Sequence, residues 1–322
     1  MAQIGRAAIV ALAALLVVDI GLVALALRHV QASDFGETVA APSANGGKQE
    51  GGKQNGGKQN GGKQDGEGNG GGNGGQQQTQ APETLINIGD GAIGRAVTGS
   101  CNDGGAKVEL STDGGASWTE VTPELDVVVR VSVVSADEAT VVGATSDCES
   151  VTTYTTSDGG GTWAEGDGAN TWHAALDGGP EIYSPYGGTS AVPCAEGEGV
   201  GAVSMLTNDH VIALCDDGPV QVSTDAGGTW EHVGDLPGAT AVDFISDTSG
   251  LGAVPNGEGC ENGVAVMRTE DGGVSWESSG CLETSDTGAA HISASGEAAY
   301  IALGTSTWAS EDSGASWSPI GE

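Results

Sequence analysis

The sequence predicts an all-β fold of repeated four-stranded units, and three observations support this prediction. First, the pattern Ser/Thr-x-Asp-x-Gly-x-x-Trp occurs five times in the 322-residue chain. Second, its Asp residues lie at positions 113, 158, 225, 271 and 312, so the spacings are 45, 67, 46 and 41 residues. Third, each repeat follows a short strand pattern, and its Trp starts another strand. A period of about 40–50 residues in an all-β chain is typical of β-propeller blades.

Each repeat is predicted to form a hairpin turn. Gly can adopt positive φ, and an Asp side chain can accept backbone N–H bonds inside a turn. A Trp is large enough to anchor the turn against a core. The residues expected in these roles are Asp113, Asp158, Asp225, Asp271 and Asp312, followed by Trp118, Trp163, Trp230, Trp276 and Trp317.

The five repeats together resemble the Asp-box (BNR) repeat of sialidases and related propellers, and the resemblance extends over residues 84–322. It implies that each box is a structural turn between the third and fourth strands of a blade, away from the catalytic face. No chemistry is therefore expected of the five Asp residues. The architecture is also similar to that of non-catalytic propellers such as photosystem II assembly factors.

Counting strands back from each repeat gives the layout of five blades. In blade 2 the first three strands are expected at residues 130–135, 140–144 and 151–156. The innermost strands of the other blades are expected near residues 85–88, 202–206, 241–245 and 290–294. The longest gap contains residues 170–199, which are interpreted as an inserted loop, with a degenerate sixth blade as the alternative.

The N-terminal segment, residues 1–33, contains an apolar run at residues 7–27 that is long enough to span a bilayer as one helix. Asp19 costs about 3 kcal/mol on insertion, while twelve Leu, Ile and Val residues each contribute about 0.3–0.6 kcal/mol. An uncleaved single-pass membrane anchor is therefore expected, with the propeller outside the cytoplasm. Because residues 30–32 resemble a signal-peptidase site, secretion after cleavage is the alternative.

Residues 34–83 form a low-complexity segment with four GGKQ units followed by a Gly/Asn/Gln tract. Such a composition cannot form a core, so a disordered linker is predicted. A flexible coil of this length reaches about 40 Å. The linker is therefore interpreted as a tether between the membrane and the propeller.

The formal net charge is −34, with ten Lys and Arg residues in the whole chain. Only Arg95, Lys107, Arg130 and Arg268 belong to the repeat region. Nucleic acid binding, which needs clustered basic residues, is excluded. No motif indicates a cofactor, and no Cys-x-x-Cys spacing indicates a metal site. The propeller is expected to be a monomer.

All six cysteines lie in the repeat region, and an even number behind an export segment favours disulfides. The blade layout places Cys101, Cys148, Cys215 and Cys260 in loops between second and third strands, and Cys194 and Cys281 in connections between blades. Both kinds of loop open on the face opposite the repeats. The expected pairs are Cys101–Cys148, Cys194–Cys215 and Cys260–Cys281, although six cysteines allow fifteen pairings.

The resemblance to sialidases implies a catalytic set that can be looked for in the sequence. Those enzymes use three Arg residues around a carboxylate, a Tyr/Glu pair, an Asp acid/base and usually an Arg-Ile-Pro motif. The motif is absent. Of the three Arg residues in the repeat region, only Arg130 is expected to start an innermost strand. No catalytic residue is therefore assigned, and a glycoside hydrolase with a divergent site remains the alternative.

Aligning the innermost strands indicates which residues face the central channel. Arg130, Ala202, Ala241 and His291 share one register, and Ser132, Ser204, Asp243 and Ser293 share the register two residues later. The candidate binding residues are Arg130, Asp243 and His291, with Trp172, Tyr183 and Tyr186 in the insertion. The sequence thus predicts a non-catalytic module that binds an unknown protein or glycan through its disulfide-linked loop face.

Overall fold

The computed structural model describes residues 83–145, 148, 150–166, 171–176, 178–187 and 192–321. Over these residues the secondary structure is entirely β, and none of it is a helix that could cross a membrane. The predicted anchor and all but the last residue of the predicted linker lie outside the described residues.

Five four-stranded sheets form the five blades, and the strands of each blade, named A to D from the inside outward, pair antiparallel in chain order. Blade 1 contains β1 (Thr84–Gly89), β2 (Ala92–Val97), β3 (Lys107–Ser111) and β4 (Thr119–Glu120). Blade 2 contains β5 (Val127–Val133), β6 (Ala139–Ala144), β7 (Thr152–Thr156) and β8 (Ala164–Gly166). An insert follows with β9 (His173–Ala174) and β10 (Ile182–Tyr183).

The remaining three blades follow the insert. Blade 3 contains β11 (Val200–Met205), β12 (Val211–Cys215), β13 (Pro219–Ser223) and β14 (Glu231–Asp235). Blade 4 contains β15 (Ala241–Phe244), β16 (Gly250–Pro255), β17 (Gly263–Thr269) and β18 (Glu277–Glu283). Blade 5 contains β19 (His291–Ser295), β20 (Ala298–Leu303), β21 (Ser306–Ser310) and β22 (Ser318–Pro319). The predicted five-bladed propeller is confirmed, although the A strand of blade 2 begins three residues earlier than expected.

The A strands form a ring. Strand β1 contacts β5 on one side and β19 on the other, and β15 lies between β11 and β19. Between blades 2 and 3 the insert takes part in the ring, because β9 contacts both β5 and β11. The circle of blades is therefore continuous, with one irregular junction.

The insert is not a sixth blade. Its Thr171 and Trp172 bond to the sulfur of Met205 at the end of β11, whereas Val200 N–H at the start of β11 donates to the carbonyl of Gly179. Strand β9 therefore runs antiparallel to β11, while the A strands of true blades run in the same sense around the ring. The described residues of the insert form only two strands, which agrees with the inserted-loop interpretation.

The hydrophobic core lies between neighbouring blades, because each sheet buries both of its faces against the next sheet. Val128 and Val131 of blade 2 pack with Val108 and Leu110 of blade 1. Equivalent clusters join blades 3 and 4, blades 4 and 5, blades 5 and 1, and the insert with blade 3. This arrangement explains the near-continuous apolar sequences of strands such as β6 and β12, which are buried along most of their length.

The five repeats adopt one hydrogen-bonded turn between strands C and D. In each turn the first Ser/Thr hydroxyl oxygen accepts the N–H of the Gly four residues later, at 2.8–2.9 Å. The Asp Oδ1 accepts the N–H of a second Ser/Thr, also at 2.8–2.9 Å. This second Ser/Thr was missed by the sequence pattern, although it is visible as Ser117, Thr162, Thr229, Ser275 and Ser316.

Hydrogen bonds within each turn stabilise the charged form of the repeat Asp side chain. The hydroxyl and backbone N–H of Ser117 lower the pKa of Asp113 to about 2, and those of Ser316 do the same for Asp312. Both carboxylates thus accept hydrogen bonds from their own turn, which supports the expectation that they have a structural role.

A second set of hydrogen bonds joins the A strands around the ring. At four junctions a side chain of one A strand accepts a backbone N–H from the next A strand. The four acceptor and donor pairs are Asn87 with Val133, Ser204 with Phe244, Asp243 with Ala294, and Ser293 with Ile88, at 2.7–3.1 Å. We call these contacts ring links. Their acceptors occupy the register that the sequence assigned to channel-facing Ser204, Asp243 and Ser293.

The junction between blades 2 and 3 lacks an equivalent ring link among the described residues. Ser132 occupies the acceptor register there, but the insert separates it from β11. Instead, Arg130 Nη1 donates a 2.8 Å hydrogen bond to the carbonyl of Val203 in β11. The sequence expected Arg130 to line the channel, and the structure shows that it also connects two blades.

The two ends of the blades define two faces. In an antiparallel meander the A–B and C–D turns lie at one end of the strands, and the B–C turns and blade-to-blade connections lie at the other. We call the end with the repeat turns the repeat face and the opposite end the disulfide face.

The three disulfides join Cys101 with Cys148, Cys194 with Cys215, and Cys260 with Cys281, which are the three expected pairs. The first connects the B–C turns of blades 1 and 2. Two positions differ from the expected loops, because Cys215 is the last residue of β12 and Cys281 lies inside β18. Cys281 pairs with Ala265 near the start of β17, so it still lies toward the disulfide face.

Candidate functional site

A pocket of about 280 Å³ lies on the axis of the ring. Its wall consists of the first halves of the five A strands, together with β9 and the hairpin turn that follows β9. It also includes Thr98 and Gly99 at the B–C turn of blade 1, but no residue of an A–B turn. The pocket therefore opens at the disulfide face, and the layer of ring links forms its floor.

Arg130 reaches the pocket from β5. One of its terminal nitrogens bonds to Val203, while its Nε atom is buried without a hydrogen-bond partner. Burial lowers the pKa of the guanidinium, and the negative charge of Asp243 opposes this effect. A buried N–H donor without an acceptor is costly, so Arg130 marks a polar point in the wall of the pocket.

Asp243 lies at the pocket floor on β15. Its Oδ1 accepts the hydroxyl of Ser204 at 2.6 Å, and its Oδ2 accepts the N–H of Ala294 at 2.8 Å. Burial raises the pKa of this carboxyl, while the hydrogen bonds from Ser204 and Ala294 and the charge of Arg130 act in the opposite direction. A chain of hydrogen bonds thus runs from blade 3 through Asp243 to blade 5.

His291 lies at the mouth of the pocket, at the start of β19. Its Nε2 is 3.1 Å from Oε2 of Glu83, the residue before β1. The pair joins blade 5 to blade 1 above the ring link of Ser293. The structure therefore brings Arg130, Asp243 and His291 to one pocket, as the aligned A strands predicted.

His173 is a pocket residue that the sequence reasoning missed. It lies on β9, is 4% exposed, and stacks on Tyr183 with ring centroids 5.1 Å apart. Its Nδ1 is 3.4 Å from the carbonyl of Thr171. Burial lowers its pKa; the Thr171 carbonyl opposes this shift, and the charge of Arg130 adds to it. No spacing in the sequence indicated that a two-residue strand would place this imidazole beside Arg130.

The three aromatic residues expected in a binding insertion have different environments. Trp172 is fully buried, and its Nε1 donates to the carbonyl of Asn208 in the A–B turn of blade 3. Tyr186 is 62% exposed and donates to Asp209 in the same turn, which places it toward the repeat face. Two corrections follow: Trp172 is a core anchor of the insert, and Tyr186 does not belong to the disulfide face. Tyr183 supports His173.

The disulfide face is strongly acidic. Carboxylates in its turns and connections include Asp103, Glu124, Asp126, Glu181, Glu196, Asp216, Asp217, Glu258, Glu261 and Asp286. Lys107, at the start of β3 near this end, pairs with Glu109 and Glu120. A ligand that reaches the pocket therefore approaches through a negative potential.

The other two arginines of the propeller form contacts outside the pocket. Arg95 pairs with Glu109 at 2.6 Å and lies 4.1 Å from the centre of the Trp118 ring. Arg268 pairs with Glu270 next to a repeat turn. Arg95, Arg130 and Arg268 belong to strands B, A and C of three different blades, so they do not converge on one ligand. Among the described residues, no cluster of three or more His, Cys, Asp or Glu side chains could hold a metal ion.

These features define a five-bladed β-propeller with an axial pocket that opens on a disulfide-linked face. No protein-family model and no curated protein matches the sequence. Among solved structures, the chain is similar to YCF48 from Cyanidioschyzon merolae, with 15% identity over 71% of this chain and 77% of that chain and a TM-score of 0.40.

It is also similar to Trypanosoma rangeli sialidase, with 13% identity, coverage of 74% of this chain and 54% of that chain, and a TM-score of 0.40. A third similar structure is the Niastella koreensis GH74 enzyme, with 15% identity, coverage of 73% and 48%, and a TM-score of 0.30. The chain thus spans about half the length of these two enzymes. At these identities the likeness concerns the fold.

Proposed function

We propose that this chain is a membrane-tethered, extracytoplasmic β-propeller that binds a protein or a glycan through its disulfide face and does not catalyse a reaction. The proposal rests on one observation: the charged groups in the pocket are bonded to other parts of the fold. Arg130 connects blades 2 and 3, Asp243 connects blades 3, 4 and 5, and His291 pairs with Glu83. Each of these groups is held in place by the fold, as in a rigid recognition surface.

The disulfides support the same role. They join residues in or next to B–C turns and blade connections on the face where the pocket opens. Loops held by a rigid scaffold commonly carry binding function. Disulfides are also typical of proteins in oxidising compartments outside the cytoplasm. The apolar run at residues 7–27 and the Gly-rich segment after it support the membrane tether.

The proposal can be tested by capturing a partner with the full-length chain in mild detergent from an envelope extract of the source cells. One variant, Asp217→Lys with Glu258→Lys, reverses two charges on the disulfide face. A matched variant, Asp137→Lys with Glu297→Lys, makes the same change in A–B turns of the repeat face. We expect the first variant to lose the partner and the second to retain it. Equal retention by both variants, or no partner specific to the wild type, would contradict the proposal.

A glycoside hydrolase is the second candidate, and one observation favours it. Glu83 and Asp243 both line the pocket, and two carboxylates facing one cavity are what glycosidases require. Hydrolysis of fluorogenic glycosides, including a sialoside, can be measured for the wild type, Glu83→Gln and Asp243→Asn. We expect no turnover with any of the three proteins. Turnover by the wild type that is lost in Asp243→Asn would replace the binding proposal with the enzymatic one.

A further inference from the structure

The axial pocket holds two opposite charges that do not pair with each other. Arg130 and Asp243 both line it and influence each other electrostatically, but no ion pair joins them. Arg130 uses one nitrogen for Val203, and its buried Nε has no partner. Each carboxylate oxygen of Asp243 accepts one hydrogen bond and can accept a second one.

Separated charges of this kind are costly in a partly buried site. A buried ionised group is tolerated when a partner of opposite charge and further hydrogen bonds compensate its lost hydration. Here the two groups lie on blades 2 and 4, which the fold keeps apart, so they cannot move together. A ligand that accepts from Arg130 at one end and donates to Asp243 at the other would satisfy both groups at once.

The surrounding charge restricts which ligand can do this. The propeller is strongly acidic, and its disulfide face is lined with carboxylates, so a simple anion is repelled on approach. A simple cation is attracted by Glu83 and Asp243, which line the pocket with Arg130, but it leaves Arg130 without a partner. A ligand with both charges and no net charge avoids both penalties. This combination favours a zwitterion.

The size and wall of the pocket restrict the ligand further. The volume of about 280 Å³ is at the small end of ligand sites, so it suits a compact molecule. Apolar side chains, including Leu85, Ala202 and Ala241, share the wall with the charged groups. We propose that the axial pocket binds a small zwitterion of the apolar α-amino acid class, with its carboxylate on Arg130 and its ammonium on Asp243. The inference goes beyond the proposed function, since it adds a small-molecule site on the face that is proposed to bind a protein or a glycan.

The test is calorimetric titration of the full-length chain in mild detergent with L-valine and with its two half-molecules. The compound 3-methylbutanoate keeps the carboxylate and the side chain, and isobutylamine keeps the ammonium and the side chain. We expect valine to bind with a Kd at least about tenfold lower than either half-molecule, because only valine compensates both charges. Equal affinity for a half-molecule, or no binding of valine at millimolar concentration, would refute the proposal.

Two variants test the assigned contacts. Asp243→Asn keeps the acceptor for Ala294 and the contact with Ser204 while removing the charge, and Arg130→Gln removes the other charge. Each is expected to weaken valine binding at least about tenfold. The matched control, Arg268→Gln, removes an arginine outside the pocket and should bind valine like the wild type. Because Arg130→Gln could also loosen the ring, Asp243→Asn decides the outcome if the folding of Arg130→Gln is impaired.

The valine titration and the partner capture described above test different claims, so either can fail without the other. Valine binding without a captured partner would leave the zwitterion site standing and remove the proposed macromolecular role. Capture of a partner without valine binding would support the macromolecular role and refute the zwitterion site.

Discussion

The Oδ1 atom of Asn87 in blade 1 accepts a 2.7 Å hydrogen bond from the backbone N–H of Val133 in blade 2. The two residues are 46 positions apart, about one repeat period. The same relationship recurs between Ser293 and Ile88, where the last blade joins the first. The A strands are thus tied to one another by polar side chains as well as by apolar packing, and the ring closes by the same contact that joins its interior blades.

The ring link of Asn87 should therefore contribute measurably to stability. Asn87→Ala leaves the N–H of Val133 without its acceptor, which costs about 1–3 kcal/mol when the group is buried. Ser132→Ala is the matched control, because Ser132 has the same register in blade 2 but its hydroxyl has no hydrogen-bond partner among the described residues. We expect denaturant unfolding to show a clear loss for Asn87→Ala and a change within about 0.5 kcal/mol for Ser132→Ala. Equal effects would show that the link has no specific role.

These contacts also show what the sequence could and could not predict. The repeat period located the blades, and the blade layout then placed the cysteines close enough to give the three expected pairs. The register of Ser204, Asp243 and Ser293 was also predicted, and Asp243 and Ser293 line the axial pocket. The sequence did not predict that all three side chains also accept backbone N–H groups of the next blade, because backbone groups leave no sequence pattern.

The insert was the least predictable region for a related reason. Its strands are two residues long, too short for any periodicity to show. Trp172 was expected at a binding surface because it is aromatic and lies in a Gly- and Pro-rich stretch. The structure buries it because the Asn208 carbonyl accepts its Nε1 hydrogen and the cluster around Ile182 and Val203 encloses its ring. Such an environment depends on long-range packing, which local composition does not record.

The buried imidazole of His173 predicts a pH dependence of stability. Its pKa is lowered in the folded protein, first by burial, whereas in the unfolded chain it is about 6.5. Below about pH 6.5 the unfolded chain therefore binds a proton that the folded chain does not, and the free energy of unfolding falls as the pH falls. The slope contributed is at most about 1.4 kcal/mol per pH unit.

His173→Phe keeps an aromatic ring against Tyr183 but cannot titrate. We expect the variant to lose this slope when denaturant unfolding is compared between pH 7 and pH 5 (about one unit either side of the ordinary histidine pKa). Tyr183→Phe, which keeps both the stacked ring and the imidazole, should retain it. A slope unchanged in His173→Phe would assign the pH dependence to other groups.

The disulfides should differ in their contribution to stability. Cys101 and Cys148 are 47 residues apart and connect two blades, whereas Cys260 and Cys281 are 21 residues apart within blade 4. The entropy of loop closure gives about 4 kcal/mol for the first and about 3 kcal/mol for the second. Paired Cys→Ser variants, unfolded without reductant, should follow this order. The reverse order would indicate that packing around the buried Cys260 outweighs the entropy of the unfolded chain.

The repeat turn of blade 1 lies against the C-terminal end of blade 5, where Gly115 faces Ile320. A Cβ atom at Gly115 would collide with the Cδ1 of Ile320, and the residue has a φ of 88°. Its neighbour Gly114 has a φ of 71° but nothing near its Cβ position. Comparing substitutions at the two glycines therefore separates the cost of backbone strain from the cost of a packing collision. Gly114→Ala should cost only the strain of a left-handed conformation, about 1–2 kcal/mol.

Gly115→Ala should cost the same strain and, in addition, about 1–3 kcal/mol for overpacking. Combining it with Ile320→Ala removes the colliding atom. If the collision is the cause, the double variant is less destabilised than the sum of the two single variants, and a double-mutant cycle measures the difference. Combining Gly114→Ala with Ile320→Ala should be additive, because no contact is shared. An additive result for Gly115 would mean that the turn moves away from Ile320, so that this contact does not hold blade 5 to blade 1. The ring link of Ser293, the Glu83–His291 pair and the apolar cluster around Ile86 would then hold the two blades together.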